Sequence, residues 1–142
     1  MRRCCQYLLA VLLTAGISGK FSPALAQDTA WVKTKSGLTY AVLKPGTGPA
    51  AASGQSVTIH ETTSLTNGTV IFDSRKSKPV TFLLGGNQVI KGVEEGVTGM
   101  RVGERRMLVI PPSLSSRSSY PPNTPKDSTL RIDLELVGIK PD

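Results

Sequence analysis

Residues 83–104 hold the one long stretch of helical periodicity in the chain that follows its N-terminal apolar run, and that stretch limits the folds open to it. An apolar segment, Phe82-Leu83-Leu84, breaks at Gly85-Gly86. Asn87 is then placed to act as an N-cap, its side-chain oxygen accepting from an orphan N–H of the first turn. Val89, Val93, Val97 and Met100 follow at i, i+4, i+8 and i+11, with Ile90 beside Val89. That is the stripe of an amphipathic helix. Lys91, Glu94, Glu95 and Thr98 fall on the opposite side, where solvated charge is the expected meaning of the carboxylate pair. Gly92 and Gly96 each weaken such a helix by about 1 kcal/mol relative to alanine, and a short helix with two glycines does not persist alone in water. It must be held by packing, and the partners on offer are strands.

The 142 residues suffice for one domain. Residues 1–26 read as a secretory signal peptide. Arg2-Arg3 form a positive start, residues 8–17 an apolar run too short to span a bilayer comfortably, and Ala24-Leu25-Ala26 a small-x-small cleavage signal before Gln27. An uncleaved membrane anchor is the competing reading. Cys4 and Cys5 precede the apolar run, which places them in the discarded piece. The expected mature chain, from residue 27, then has no cysteine, no disulfide and no membrane span. Taking Arg2, Arg3 and Lys20 from the 17 basic residues leaves 14 against 10 acidic, a net charge of +4. These bases are scattered. The one cluster, Arg75-Lys76-Ser77-Lys78, lacks aromatic interleaving, so a solvated turn is the better reading than a nucleic-acid surface.

Residues 27–37 are polar and read as a flexible N-terminal arm; Trp31 either pins it to the body or lies exposed. A domain over 38–142 follows. Strands are expected over 38–43, 56–64, 70–74, 80–84, 105–110 and 130–139. Within the second, Val57, Ile59 and Glu61 share one face and Thr58, His60 and Thr62 the other. Asn67-Gly68 is a hairpin signal. In the last, Ile132, Leu134 and Leu136 alternate with Arg131, Asp133 and Glu135, one face buried and the other wet. Residues 113–128, rich in serine and proline, read as a long loop. Strands with one short helix and no β-α-β rhythm define an α+β fold: an antiparallel sheet of five to six strands, a half-barrel curled around its helix.

Catalytic residues of the familiar kinds are scarce. His60 stands alone on the polar side of a strand, without a ligand partner at metal spacing. No Gly-x-Ser-x-Gly elbow, mature cysteine nucleophile or phosphate-binding loop is present. Any chemistry must proceed without covalent intermediate, metal or cofactor.

Val57-Thr58-Ile59-His60 followed by Asn67-Gly68-Thr69-Val70-Ile71-Phe72-Asp73-Ser74 resembles the strand–turn–Phe-Asp-Ser pattern of the FKBP-type peptidyl-prolyl cis–trans isomerases. Pro79 to Gly85, Gln88-Val89-Ile90-Lys91-Gly92, Glu95-Gly96, Met100, Val102-Gly103-Glu104, Ile110-Pro111-Pro112, Thr124 to Leu130 and Asp133-Leu134-Glu135-Leu136 continue the pattern in order. The resemblance covers roughly residues 37–140 and implies the same curled sheet around a helix. It also implies a reaction that needs no acid, base or nucleophile. Rotation about a prolyl bond crosses a barrier of about 18–20 kcal/mol set by amide resonance. The twisted transition state has lost that resonance and much of its dipole, so an apolar cup holds it better than water does.

By the same resemblance, Phe72 and Phe82 match the pocket phenylalanines and Asp73 the pocket aspartate. Val89 and Ile90 match the pair at the helix start, the Ile90 backbone donating to a substrate carbonyl. The plain alternative is that Phe72, Phe82 and Val89 fill the core. The chain also departs from the family. Glu61 stands where a tyrosine is usual, Val93 replaces the floor tryptophan, Ser115-Ser116-Arg117 replaces Ala-Tyr-Gly, Ile132 replaces a phenylalanine, and Thr124 stands where isoleucine is common. Tyr120 either substitutes for the missing tyrosine or lies on the surface. At about 0.5–1.5 kcal/mol per lost aromatic contact, four such losses imply a rate lowered a hundredfold or more.

Two functions are therefore expected: an exported prolyl isomerase acting on proline-containing chains in the periplasm or outside the cell, or a catalytically weak FKBP-like chaperone or peptide-binding module. A monomer is expected, with weak binding of macrolides and no cofactor, metal or nucleic acid.

Overall fold

In a computed structural model of the chain, residues 29–140 are described. The leader expected over 1–26 lies outside them. Seven strands form one antiparallel sheet: β1 (Trp31–Lys33), β2 (Thr39–Lys44), β3 (Ser56–Leu65), β4 (Val70–Asp73), β5 (Val80–Leu83), β6 (Arg105–Ile110) and β7 (Leu130–Lys140). The spatial order is β1-β2-β6-β7-β3-β4, with β5 also on β3. β7 runs along the whole of β3, from Leu65↔Leu130 to Ser56↔Lys140. The other edge of β3 is divided: β5 pairs with Ser56 to Ile59, and β4 with Thr62 to Ser64.

Alternation in sequence becomes alternation in burial. Val57 and Ile59 on β3, Leu108 and Ile110 on β6, and Ile132, Leu134 and Leu136 on β7 are essentially inaccessible. They share a core with Val93, Val97 and Met100. On the opposite face Arg105 pairs with Asp133, and Arg75 with Glu135 at 2.8 Å.

The helix, α1 (Lys91–Val97), is shorter than its stripe. Val89 and Met100 lie outside it. Asn87 is not its N-cap: that position belongs to Ile90, which makes no side-chain capping bond. Asn87 has φ 55°, a left-handed conformation that asparagine tolerates better than most residues. Its N–H donates to Glu94 Oε1 at 2.8 Å. Glu94 is thus a tie between helix and preceding loop rather than a solvated charge. Glu95 is a tie as well, accepting from Ser36 Oγ at 2.8 and 2.7 Å.

Gly92 and Gly96 acquire a reason here. A Cβ on Gly92 would sit 2.5 Å from Ile110 Cγ2, and one on Gly96 would strike the Leu108 side chain. The helix lies directly on β6 because these two positions carry no side chain. Just beyond it, buried Glu104 accepts from Arg106 Nε at 2.5 Å, while Arg106 Nη1 donates to the Gly96 carbonyl at 3.1 Å.

The N-terminal arm is not loose over its whole length. Residues 31–33 form β1 and pair with β2, and Trp31 remains about half exposed. The long loop also contains one helical turn, α2 (Pro112–Ser115), opened by a proline at its first position, where no N–H is needed.

Candidate peptide-binding site

β3, β4, the segment entering α1 and the loop after α2 surround a hollow of about 410 Å³. β3 contributes Glu61 and Thr63, which alternate onto one face of the strand. β4 contributes Ile71 and Phe72, with Phe72 opposite Thr63 in the register. The helix side supplies Asn87, Gln88, Val89, Ile90 and Val93, and β7 supplies Ile132. The far wall is the loop: Ser116, Arg117, Ser118, Ser119 and Pro121. Neither Glu61 nor the serine-rich loop fills the space; both form its walls.

Several bonds hold these walls. The Gln88 Oε1 accepts from Leu83 N–H at 2.9 Å, tying the helix approach to the end of β5. The Ile90 carbonyl accepts the N–H groups of Val93 and Glu94 at 3.0 and 3.2 Å. The fully buried Ser74 hydroxyl accepts from Glu61 N–H at 2.9 Å and lies 3.0 Å from His60 Nδ1. His60 therefore helps to fix the strand beside the hollow, from its other face.

Of the residues singled out from the sequence, Glu61, Phe72, Val89, Ile90, Val93 and Ile132 meet at the hollow. Phe82, Asp73, Tyr120 and Thr124 are not among its lining residues. Phe82 is 4% exposed within the core and pairs with Val57. Asp73 pairs with Thr62, on the face away from Glu61, and accepts from Thr62 Oγ1 at 3.2 Å and from Arg75 N–H at 3.0 Å. It caps the single helical turn Ser74–Lys76. The Tyr120 hydroxyl accepts from Arg117 N–H at 3.4 Å and so folds its own loop. Thr124 Oγ1 is buried without a hydrogen-bond partner among the described residues.

Reading the sequence alone did not send Thr63 or Arg117 to the site as contributors. The alternation that carries Glu61 to this face carries Thr63 with it. For Arg117 the signal is the family resemblance, which matches Ser115-Ser116-Arg117 to a pocket loop; a loop has no period to show which way its charge lies. Among the described residues no group of histidines, cysteines and carboxylates is placed to hold a metal, and no helix is long and apolar enough to cross a membrane.

The electrostatics of the hollow are unusual for an apolar cup. Burial pushes the Glu61 carboxyl above its ordinary range, and the charge of Arg117 partly offsets this. Phe72 stays 39% exposed, an aromatic ring at the edge of the hollow.

An antiparallel sheet laid over a short helix, with a hollow where the helix begins, defines a class that comparison with known proteins identifies. The family model described as FKBP-type peptidyl-prolyl cis-trans isomerase matches residues 48–137. The FK506-binding protein 4 of Mycosarcoma maydis is 44% identical over 108 residues, covering 76% of this chain and 29% of that protein. Its counterpart from Chaetomium thermophilum is 40% identical over 116 residues, covering 82% and 24%. Among solved structures, FkpA from Escherichia coli superposes with a TM-score of 0.71 at 32% identity, covering 82% of this chain and 54% of that one. AtFKBP13 gives 0.67 at 31%, covering 77% and 98%. The chain belongs to the FKBP-type peptidyl-prolyl cis–trans isomerase family. It spans 29% and 24% of the length of those two curated relatives.

Proposed function

We propose that this chain is a peptidyl-prolyl cis–trans isomerase that assists protein folding outside the cytoplasm. The observation that carries the reading is the hollow of about 410 Å³, with Phe72, Val89, Ile90, Val93 and Ile132 in its wall. A pyrrolidine ring fits there against apolar side chains. The chain flanking it is fixed by the Ile90 N–H, which donates to the carbonyl before or after the ring. As the prolyl bond twists, its nitrogen and carbonyl lose their conjugation and their need for water, and the apolar wall then binds the twisted form more tightly than the planar one. No proton moves and no bond breaks. Export is proposed from Arg2-Arg3, the apolar run at 8–17 and Ala24-Leu25-Ala26. Several relatives carry FK506 in their names; for this chain, which has Val93 and Glu61 in place of aromatics, macrolide binding is proposed to be weak.

A second reading, a peptide-binding module without appreciable turnover, is favoured by the charged wall made by Glu61 and Arg117. A protease-coupled assay on Xaa-Pro peptides separates the two. The isomerase reading expects catalysis above the spontaneous rate at micromolar protein, about a hundredfold below that expected for a pocket with its full aromatic set. A rate equal to the uncatalysed one removes it and leaves the binding module.

A further inference from the structure

Two opposite charges face the same hollow, and neither side chain makes a hydrogen bond or a close ion pair with a described residue. Glu61 and Arg117 both line it. The ion pairs among the described residues join other partners: Arg75 with Glu135, Arg105 with Asp133, and Arg106 with Glu104. The Glu61 carboxylate makes no hydrogen bond to a described residue; only its backbone N–H is engaged, by Ser74. The bond that Arg117 makes also comes from its backbone, to the Tyr120 hydroxyl. Its side-chain Nε is buried and has no hydrogen-bond partner among the described residues. A buried donor without an acceptor is a cost that a fitting ligand removes.

We infer that Glu61 and Arg117 are specificity-determining residues that select a carboxamide side chain, glutamine or asparagine, next to the proline of a bound peptide. This rests on the reading of the hollow as a prolyl-peptide site. The chemistry follows from the two signs. A carboxylate accepts and a guanidinium donates, so one group that satisfies both must carry a donor and an acceptor on neighbouring atoms. The primary amide does so without adding charge. A carboxylate in its place would meet Arg117 but also Glu61, and an ammonium would meet Glu61 but also Arg117. An aliphatic side chain would leave both heads unpaired. The raised proton affinity of Glu61 agrees with a carboxyl that is partly desolvated and reached by no described donor.

The test is a set of Ala-Xaa-Pro-Phe peptides with Xaa glutamine, methionine, glutamate or lysine. Binding is measured by calorimetry and turnover by the coupled assay, on the wild type, Arg117→Ala, Arg117→Lys and Glu61→Ala, each checked for its fold by circular dichroism. The expected result is glutamine over methionine, its near-isostere, by about tenfold in wild type. That ratio should fall to about one in Arg117→Ala and Glu61→Ala, and be reduced in Arg117→Lys, which keeps the charge but loses the planar fork. Equal binding of glutamine and methionine overturns the inference. So does glutamate binding tightest, which would make Arg117 the sole reader, or lysine binding tightest, which would make Glu61 the sole reader. A ratio that survives both alanine variants also overturns it. Absence of turnover for all four peptides removes the isomerase reading, while the order of their binding constants still decides on the pair.

Discussion

Phe72 and Phe82 carry the same ring into two environments. Phe72 is 39% exposed at the rim of the hollow, and Phe82 is 4% exposed inside the core. Family resemblance sends both to one pocket; the strand register separates them. Phe72 lies opposite Thr63 on the second half of β3, while Phe82 lies opposite Val57 on the first. Truncation should therefore have opposite signatures. Phe72→Ala is expected to change stability by about 1 kcal/mol or less and to lower kcat/KM at least about tenfold. Phe82→Ala is expected to cost about 3–5 kcal/mol in urea unfolding. Glu61 gives a third test. Its carboxyl binds a proton more readily in the folded than in the unfolded chain. Stability contributed by this residue is then lost as pH rises through the window between the two affinities. Glu61→Gln is expected to melt higher than wild type at neutral pH. The gap should close as pH falls well below the ordinary glutamate value of about 4.3, where wild type is protonated in both states. A constant gap across that range would show that burial is not the cause.

At the scale of the element, the helix is the instructive case. The apolar stripe correctly marks Val93, Val97 and Met100 as core, all at or below 2% exposure. It does not mark where the helix starts, because the left-handed turn at Asn87 and the bond from its N–H to Glu94 depend on the loop as a whole. Propensity alone makes Gly92 and Gly96 look like weaknesses. In place, they are the condition for the helix to touch β6. Gly96→Ala adds up to about 1 kcal/mol of helix propensity and forces a methyl against Leu108, itself fully buried. Overpacking of this kind costs about 1–3 kcal/mol. The expected outcome is a lower melting temperature despite the better helix former, and a higher one would refute the close contact.

Across the whole molecule, the strands with clear alternation were legible in the sequence to within a residue or two at each end. β1 was not, because three residues of edge strand show no period and gain their identity from pairing with β2. The site was legible in part. The family resemblance places Glu61, Val93 and Ile132 there, on elements whose periodicity fixes which face they occupy. It matches the segment Ser115-Ser116-Arg117 to the family's loop only as the loss of a tyrosine; it does not foretell the charge that Arg117 brings to the wall, since a loop's course is set by what it packs against. Asp73, matched to the family's pocket aspartate, Tyr120, offered as a substitute tyrosine, and Thr124, which departs from the family's isoleucine, are not among the residues that line the hollow. The strand order carries one more consequence. β7, residues 130–140, lies in the middle of the sheet, between β6 and β3. Until the ribosome has released those residues, β1, β2 and β6 have no sheet connection to β3, β4 and β5. The two halves of the future core stay uncovered until β7 emerges, and closure waits on pairings between positions far apart in the chain. Folding of this domain thus waits on β7 and is slow, and a nascent chain stalled short of residue 130 presents oily surface to whatever holds unfinished polypeptides.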